Sequence, residues 1–251
     1  MGSNYIKNSK TINSLRDEGI ISQETARVFS KGKDINVKIP PLGRRGDPIY
    51  QCILIDSSGS MRKCKEAVIN SQPIMIDALR ESTACKQKRL FINQYLFDTE
   101  PHQLHSFTKL SSDKSDDVVL LNTKNYNPRL GTALKKTVFS VLQELSAVIQ
   151  HANSQGAFAR FGITIITDGR DGDASVKSSD IRRFLKEMSQ TEHLLNSVVV
   201  GLLGKALSKN GVEEIRETLG FMEAIPCEQN SARKIRRAFV LASQSCLQPK
   251  G

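Results

Sequence analysis

The side chains of this sequence whose types and spacing could do chemistry are oxygen donors gathered in three short segments. The apolar run Ile53-Leu54-Ile55 ends in Asp56-Ser57-Ser58-Gly59-Ser60, a carboxylate followed by hydroxyls two and four positions on. A tight loop there turns Asp56, Ser58 and Ser60 towards one point, and Gly59 allows the sharp path. Oxygen ligands of this kind suit a hard cation. A second run, Phe161-Gly162-Ile163-Thr164-Ile165-Ile166, ends the same way in Thr167-Asp168-Gly169. Between the two, Leu130-Gly131-Thr132-Ala133-Leu134 brings a glycine and one more hydroxyl directly before a helical pattern. Taken singly, Asp56 and Asp168 read as strand-end caps, and Ser58 and Ser60 as caps of the next helix. Taken together, three separated segments would need coincidence to match so well, and they point to a metal site.

Such a site needs a scaffold that brings the segments together. From Ile49 onward, short apolar runs alternate with longer segments of helical period, the pattern of a doubly wound, mostly parallel α/β sheet with helices on both faces. Six strands are predicted at 49–56, 90–97, 104–110, 161–168, 195–202 and 221–225. The first, fourth and fifth are apolar on successive residues, as strands buried on both faces are. In the order 3-2-1-4-5-6 the first and fourth strands are neighbours at the switch point, where ligands bind beyond the carboxyl ends. Asp56 and Asp168 then face each other. Apolar spacing of three and four predicts one helix through Met61, Cys64, Val68, Met75 and Leu79, and another through Leu134, Val138, Leu142, Leu145 and Ile149. Pro73 should kink or restart the former. Further helices are predicted at 180–188, 212–219 and 232–243. Residues 1–48 read as a small helical lead-in and a Pro/Gly-rich loop packed against the main domain, 49–251.

The three segments resemble the metal-ion-dependent adhesion site of the von Willebrand factor A family: Asp-x-Ser-x-Ser on one loop, Thr after Gly on a second, and Asp in Thr-Asp-Gly on a third. The resemblance spans roughly residues 49–245 and implies a Rossmann-like fold. In detail the chain is similar to intracellular bacterial members, those associated with tellurite resistance or paired with AAA+ ATPases of the MoxR type. Leu130 departs from the pattern where many members carry a second glycine. The resemblance implies that Asp56, Ser58, Ser60, Thr132 and Asp168 hold one divalent ion. Ser58, Ser60 and, in one state, Thr132 touch it, while Asp56 and Asp168 hold coordinated waters. Mg²⁺ is the first choice because the ligands are few and all oxygen, and Mn²⁺ or Ca²⁺ can substitute. The implied function is a protein-interaction module that takes an Asp or Glu of a partner protein, an AAA+ ATPase or another component of the same system. Arg62, Lys63, Arg129 and Arg170 flank the loops and form a candidate cationic rim.

Composition sets the other expectations. With 251 residues, 39% hydrophobic and 25% charged, the chain suffices for one sizeable domain. Five scattered cysteines without a C-x-x-C pair fit free thiols in a reducing cytoplasm. No apolar run has the length of a signal peptide or a membrane span, so a cytoplasmic protein without membrane contact is expected. The net charge of +10 raises nucleic acid as a secondary partner, with Arg233, Lys234, Arg236 and Arg237 in a stretch free of acidic residues. A metal-dependent hydrolase is the remaining alternative. None of His102, His105, His151 or His193 falls in the three loops, no nucleophile–base pair stands out, and a non-enzyme is expected.

Overall fold

A computed structural model describes residues 4–6, 8–31, 35–37, 46–87, 89–129, 131–169 and 172–245, and places the side chains of all of these except 4–6 and 35–37. Six strands form the central sheet: β3 (Ile49–Asp56), β4 (Leu90–Phe97), β5 (Pro101–Lys109), β6 (Arg160–Thr167), β7 (Leu194–Leu203) and β8 (Glu223–Glu228). Their order is β5-β4-β3-β6-β7-β8, which is 3-2-1-4-5-6 counted along this sheet. All pairs are parallel except β4 with β5, an antiparallel hairpin at the edge. The predicted fold class and the adjacency of β3 and β6 are both present. A separate antiparallel pair joins β1 (Asn4–Ile6) to β2 (Ile35–Val37).

The continuous apolar runs arise because the inner strands are covered on both faces. Along β3, Tyr50, Cys52 and Leu54 enter one core while Ile53 and Ile55 enter the other. β7 does the same, with Val199 on the first side and Val198, Val200 and Leu202 on the second. This is the period-2 alternation of a strand with a hydrophobic layer above and below it. The first layer holds α1 (Asn8–Asp17), α2 (Gln23–Phe29), α5 (Leu134–Ser154), α6 (Ser178–Gln190) and α7 (Lys209–Leu219). The second holds α3 (Lys65–Arg80), α4 (Thr83–Lys86) and α8 (Ala232–Ser245). Helix α7 starts three residues ahead of the predicted 212, where Ser208 caps it by accepting from the Gly211 N–H, and ends as predicted at Gly220, which closes it at φ 72°, a left-handed position suited to glycine.

Two further helical details differ from the sequence expectation. Met61 and Cys64 lie not on α3 but on a 3-10 turn, Gly59–Cys64, that precedes it. A spacing of three fits both helix types, and in the tighter 3-10 form residues i and i+3 eclipse, so both side chains still point inward. Pro73 neither ends nor restarts α3, which runs through it from Lys65 to Arg80. Burial of Val68, Met75, Ile76 and Leu79 on either side of Pro73 offsets the hydrogen bond that proline removes.

The N-terminal helices are bolted to the first layer. Phe29 stacks on Phe139 of α5 at 4.3 Å and lies 4.6 Å from Phe184 of α6. The Phe29 carbonyl accepts from Asn8 at 2.7 Å and from Gln143 at 3.0 Å. Glu187 on α6 accepts from the Thr25 hydroxyl and the Ser22 N–H at the start of α2. Among the described residues no helix is long and apolar enough to cross a membrane. The four described cysteines, Cys52, Cys64, Cys85 and Cys227, are buried and not joined in disulfides, and Cys246 lies outside the described residues.

Candidate metal centre

Parallel pairing of β3 with β6, Ile55 against Ile166, brings the carboxyl ends of the two strands side by side. Asp56 is the last residue of β3, and Asp168 follows Thr167, the last of β6. The side chains beyond those ends form one connected chain. Ser58 and Ser60 Oγ atoms are 3.1 Å apart, and Ser60 Oγ donates to Asp168 Oδ1 at 2.6 Å. Asp56 sits beneath them, fully buried, its Oδ1 accepting from the Ser58 N–H at 2.7 Å and its Oδ2 from the Thr167 hydroxyl at 2.5 Å. Ser58 and Asp168 are buried as well, while Ser60 is exposed, so the cluster opens to solvent on the Ser60 side.

The second loop is sewn to this cluster through its backbone. The Arg129 N–H donates to the Ser57 carbonyl at 2.6 Å, and the Tyr126 hydroxyl to the Asp56 carbonyl at 2.7 Å. Ala133 donates to the Asp98 carbonyl at 2.5 Å. Thr132, half-buried, accepts on its carbonyl from the Gly172 N–H at 2.9 Å, which ties the second loop to the third. Gly131 has φ 93°, and a Cβ there would run into Thr99 beyond β4, so only glycine lets the chain pass this close. The structure thus draws Asp56, Ser58, Ser60 and Asp168 into one side-chain network and brings Thr132 to it by main-chain bonds. Thr132 precedes α5 by two residues rather than opening it.

Burial pushes the Asp56 carboxyl up to about 6, against the opposing hydrogen bonds from Thr167 and Ser58 and with a small further push from Asp168. Asp168 is also raised, again by burial, although Ser60, Gln229 and the charge of Lys63 pull the other way. Burial thus disfavours the charged form of both carboxylates more than their hydrogen bonds and Lys63 favour it, a condition that a cation relieves. Neighbouring corners of an octahedron with ligand distances of ~2.1 Å are ~3.0 Å apart, close to the 3.1 Å between the Ser58 and Ser60 oxygens, while Ser60 and Asp168 stand at hydrogen-bond distance, 2.6 Å. The donors gathered here are the hydroxyls of Ser58 and Ser60 and the two carboxylates, and among the described residues no group of three or more His, Cys, Asp and Glu side chains that could hold a metal ion gathers.

Of the rim residues, Arg62, Lys63 and Arg129 are exposed around the opening, and Arg62 Nε donates to the Pro128 carbonyl at 3.3 Å. Arg170 and Leu130 lie outside the described residues. The histidines stand apart. His102 Nε2 and Asp98 Oδ1 are 3.0 Å apart, whereas His105 Nδ1 donates to its neighbour's carbonyl, so this pair does not converge. His193, at the amino end of β7, donates to the Ala159 carbonyl at 2.6 Å.

Three participants were not legible as such. Thr167 stands inside the Thr-Asp-Gly motif without a role of its own there, and nothing in the sequence singles out Tyr126. Gln229, between β8 and α8, donates from Nε2 to Asp168 Oδ2 at 3.0 Å, and no sequence signal marks it.

No protein-family model and no curated protein matches the chain. Among solved structures, the D319A mutant of the PilB minor pilin from Streptococcus sanguinis matches with a TM-score of 0.54 at 13% identity, over 82% of this chain and 62% of its own. The unmutated PilB matches with a TM-score of 0.52 at 14% identity and the same coverage. The von Willebrand factor domain of the type V pili tip protein Mfa5 from Porphyromonas gingivalis matches with a TM-score of 0.50 at 10% identity, over 83% of this chain and 99% of its own. The chain spans less than two thirds of the PilB chains.

Proposed function

Because the chain folds as a von Willebrand factor A-type domain, we propose that it is a protein-interaction module that grips an acidic residue of its partner through a divalent ion held at the loops beyond β3 and β6. The observation that carries this reading is the connected network Ser58, Ser60 and Asp168, with Asp56 buried behind it. Ser58, Ser60 and Thr132 supply hydroxyl oxygens, and Asp56 and Asp168 supply negative charge. Mg²⁺ is the resident ion of this proposal, with Mn²⁺ and Ca²⁺ as substitutes. When bound, the ion supplies an electrophilic centre whose charge the mostly neutral donors only partly balance.

The chain's own residues do the rest. Asp56 stays clear of the opening because both its oxygens are engaged, by Ser58 and Thr167, and so acts as a fixed charge under the hydroxyls. Exposed Ser60 marks the side from which a partner's Asp or Glu enters. A pull-down with and without Mg²⁺, comparing the wild type with Asp56→Ala, tests the reading. Partners lost in both controls belong to the metal site, and an unchanged set in all conditions sinks the proposal. An AAA+ ATPase of the same system is the partner to look for first.

Lys63 and Arg129 stand where an acidic surface would arrive. Reversing both charges, Lys63→Glu with Arg129→Glu, should slow association by about tenfold at low salt and flatten its salt dependence. Stopped-flow association at two ionic strengths reads this out, and rates that match the wild type at both would remove the rim from the mechanism.

A second reading has its own observation. Arg233, Lys234, Arg236 and Arg237 are all exposed on α8, while Ile235, Ala238, Phe239 and Ala242 face the core. Nucleic acid bound there would be lost steeply with salt and indifferent to a chelator, the reverse of the metal-dependent pattern. We assign the chain no catalytic role, since the described histidines lie away from the network.

A further inference from the structure

We propose that Gln229 is a positioning residue that sets which divalent ion the site accepts, by holding one oxygen of Asp168 out of it. This rests on the metal-site reading above. The Gln229 amide is fixed on three sides. Its Nε2 donates to Asp168 Oδ2 at 3.0 Å and faces Cys64 Sγ at 3.7 Å. Cys64 spends its own S–H on the Met61 carbonyl at 3.3 Å, which leaves the sulfur free to accept. The amide oxygen lies over Gly204, the residue directly after β7, where an added Cβ would collide with Gln229 Oε1. The backbone is pinned too, as the Gln229 N–H donates to the Leu203 carbonyl at 3.0 Å.

The consequence lies in how Asp168 is presented. With Oδ2 engaged by Gln229 and Oδ1 turned to Ser60, only one carboxylate oxygen faces the hydroxyl network. The oxygens of Asp56 are both engaged elsewhere. Small octahedral ions are served by single-oxygen contacts and retained waters, whereas Ca²⁺ takes more ligands and favours a carboxylate that offers both oxygens. Gln229 therefore biases the site towards Mg²⁺ and Mn²⁺, and Gly204 provides the space in which its amide sits. Without the amide, Asp168 can turn and offer both oxygens.

The test is calorimetric titration of the full chain with Mn²⁺ and with Ca²⁺, in the wild type, Gln229→Met and Gly204→Ala. Gln229→Met keeps the length of the side chain and removes the amide. Gly204→Ala leaves Gln229 in the sequence but displaces its tip. The wild type should prefer Mn²⁺, and Gln229→Met should shift the Mn²⁺-to-Ca²⁺ affinity ratio towards Ca²⁺ by about tenfold, the low end of what an outer-shell partner of a ligand is worth. Gly204→Ala should move it the same way. An unchanged ratio, or equal loss of both ions, overturns the proposal while leaving the metal site standing. A wild type that binds neither ion overturns both. If thermal melts show that Gln229→Met does not fold, the ratio in Gly204→Ala decides.

Discussion

Replacing Asp168 with alanine should remove about half or more of the stabilisation of this protein by Mg²⁺ or Mn²⁺ without unfolding it. In the wild type, an ion at about a hundredfold excess over its Kd stabilises the native state by ~2.7 kcal/mol through mass action. For a chain of this size that corresponds to a melting shift of roughly 5–10 °C. Asp168 shares a hydrogen bond with Ser60 and supplies one of the two buried charges at the site. Its removal should weaken ion affinity by about 10–100-fold, as loss of a charged group that holds ligands in place does. The ion-free variant should keep its melting temperature near that of the wild type. Ser60 and Gln229 lose an acceptor, but the repulsion between Asp168 and buried Asp56 is relieved as well. Thermal melts with and without Mn²⁺ separate the two effects. An Asp168→Ala protein whose melting point still rises with Mn²⁺ as the wild type's does would place the ion elsewhere.

The second large effect is on pH. Burial raises Asp56 to about 6 in the ion-free fold, above the ordinary carboxylate value of ~3.9 that it regains on unfolding. Between those values the native state holds a proton that the unfolded chain has lost. The contribution of Asp56 to stability therefore falls as pH rises from ~4 to ~6, and its unfavourable effect is complete above that. Ion binding works in the opposite sense, because a cation favours the charged carboxylate and competes with its proton. Mn²⁺ affinity should rise with pH up to about 6 and level off above. Because Asp168 is also raised, it should add to the slope of log affinity against pH on the acid side. Titrations between pH 5 and 8 measure it. Affinity that is flat across pH 5 to 7 would mean that Asp56 is not linked to the ion.

Together the two measurements distinguish a true ion site from a polar strand-end cluster. A cluster of caps has no reason to bind Mn²⁺, and its stability would not reverse its pH trend on adding the ion.

Much of this molecule was legible in the chain because strands buried on both faces must be apolar at every step. The runs ending at Asp56 and Thr167 and the run Val198-Val199-Val200 have that property, and all are inner strands. Edge strand β5 mixes exposed and half-buried residues, and its observed start is three residues ahead of the predicted one. Asp56, Ser58 and Ser60 could be read as one group because they lie within five residues on one loop, where local spacing alone limits their directions. Asp168 joined them through the order of the strands.

The chain by itself thus determined the doubly wound sheet and the oxygen-rich character of its switch point, since both follow from short-range patterns of burial and spacing. Only the tertiary structure decided how the carboxylates are held. The bonds that do so link Thr167 to the Asp56 carboxylate across 111 residues and Gln229 to that of Asp168 across 61, while Tyr126 holds the Asp56 carbonyl across 70. No local period encodes such partners, because each depends on where a loop between other elements comes to rest. Gln229 reaches Asp168 only because β8 lies beside β7 and the chain directly after β7 carries a glycine where the amide must sit.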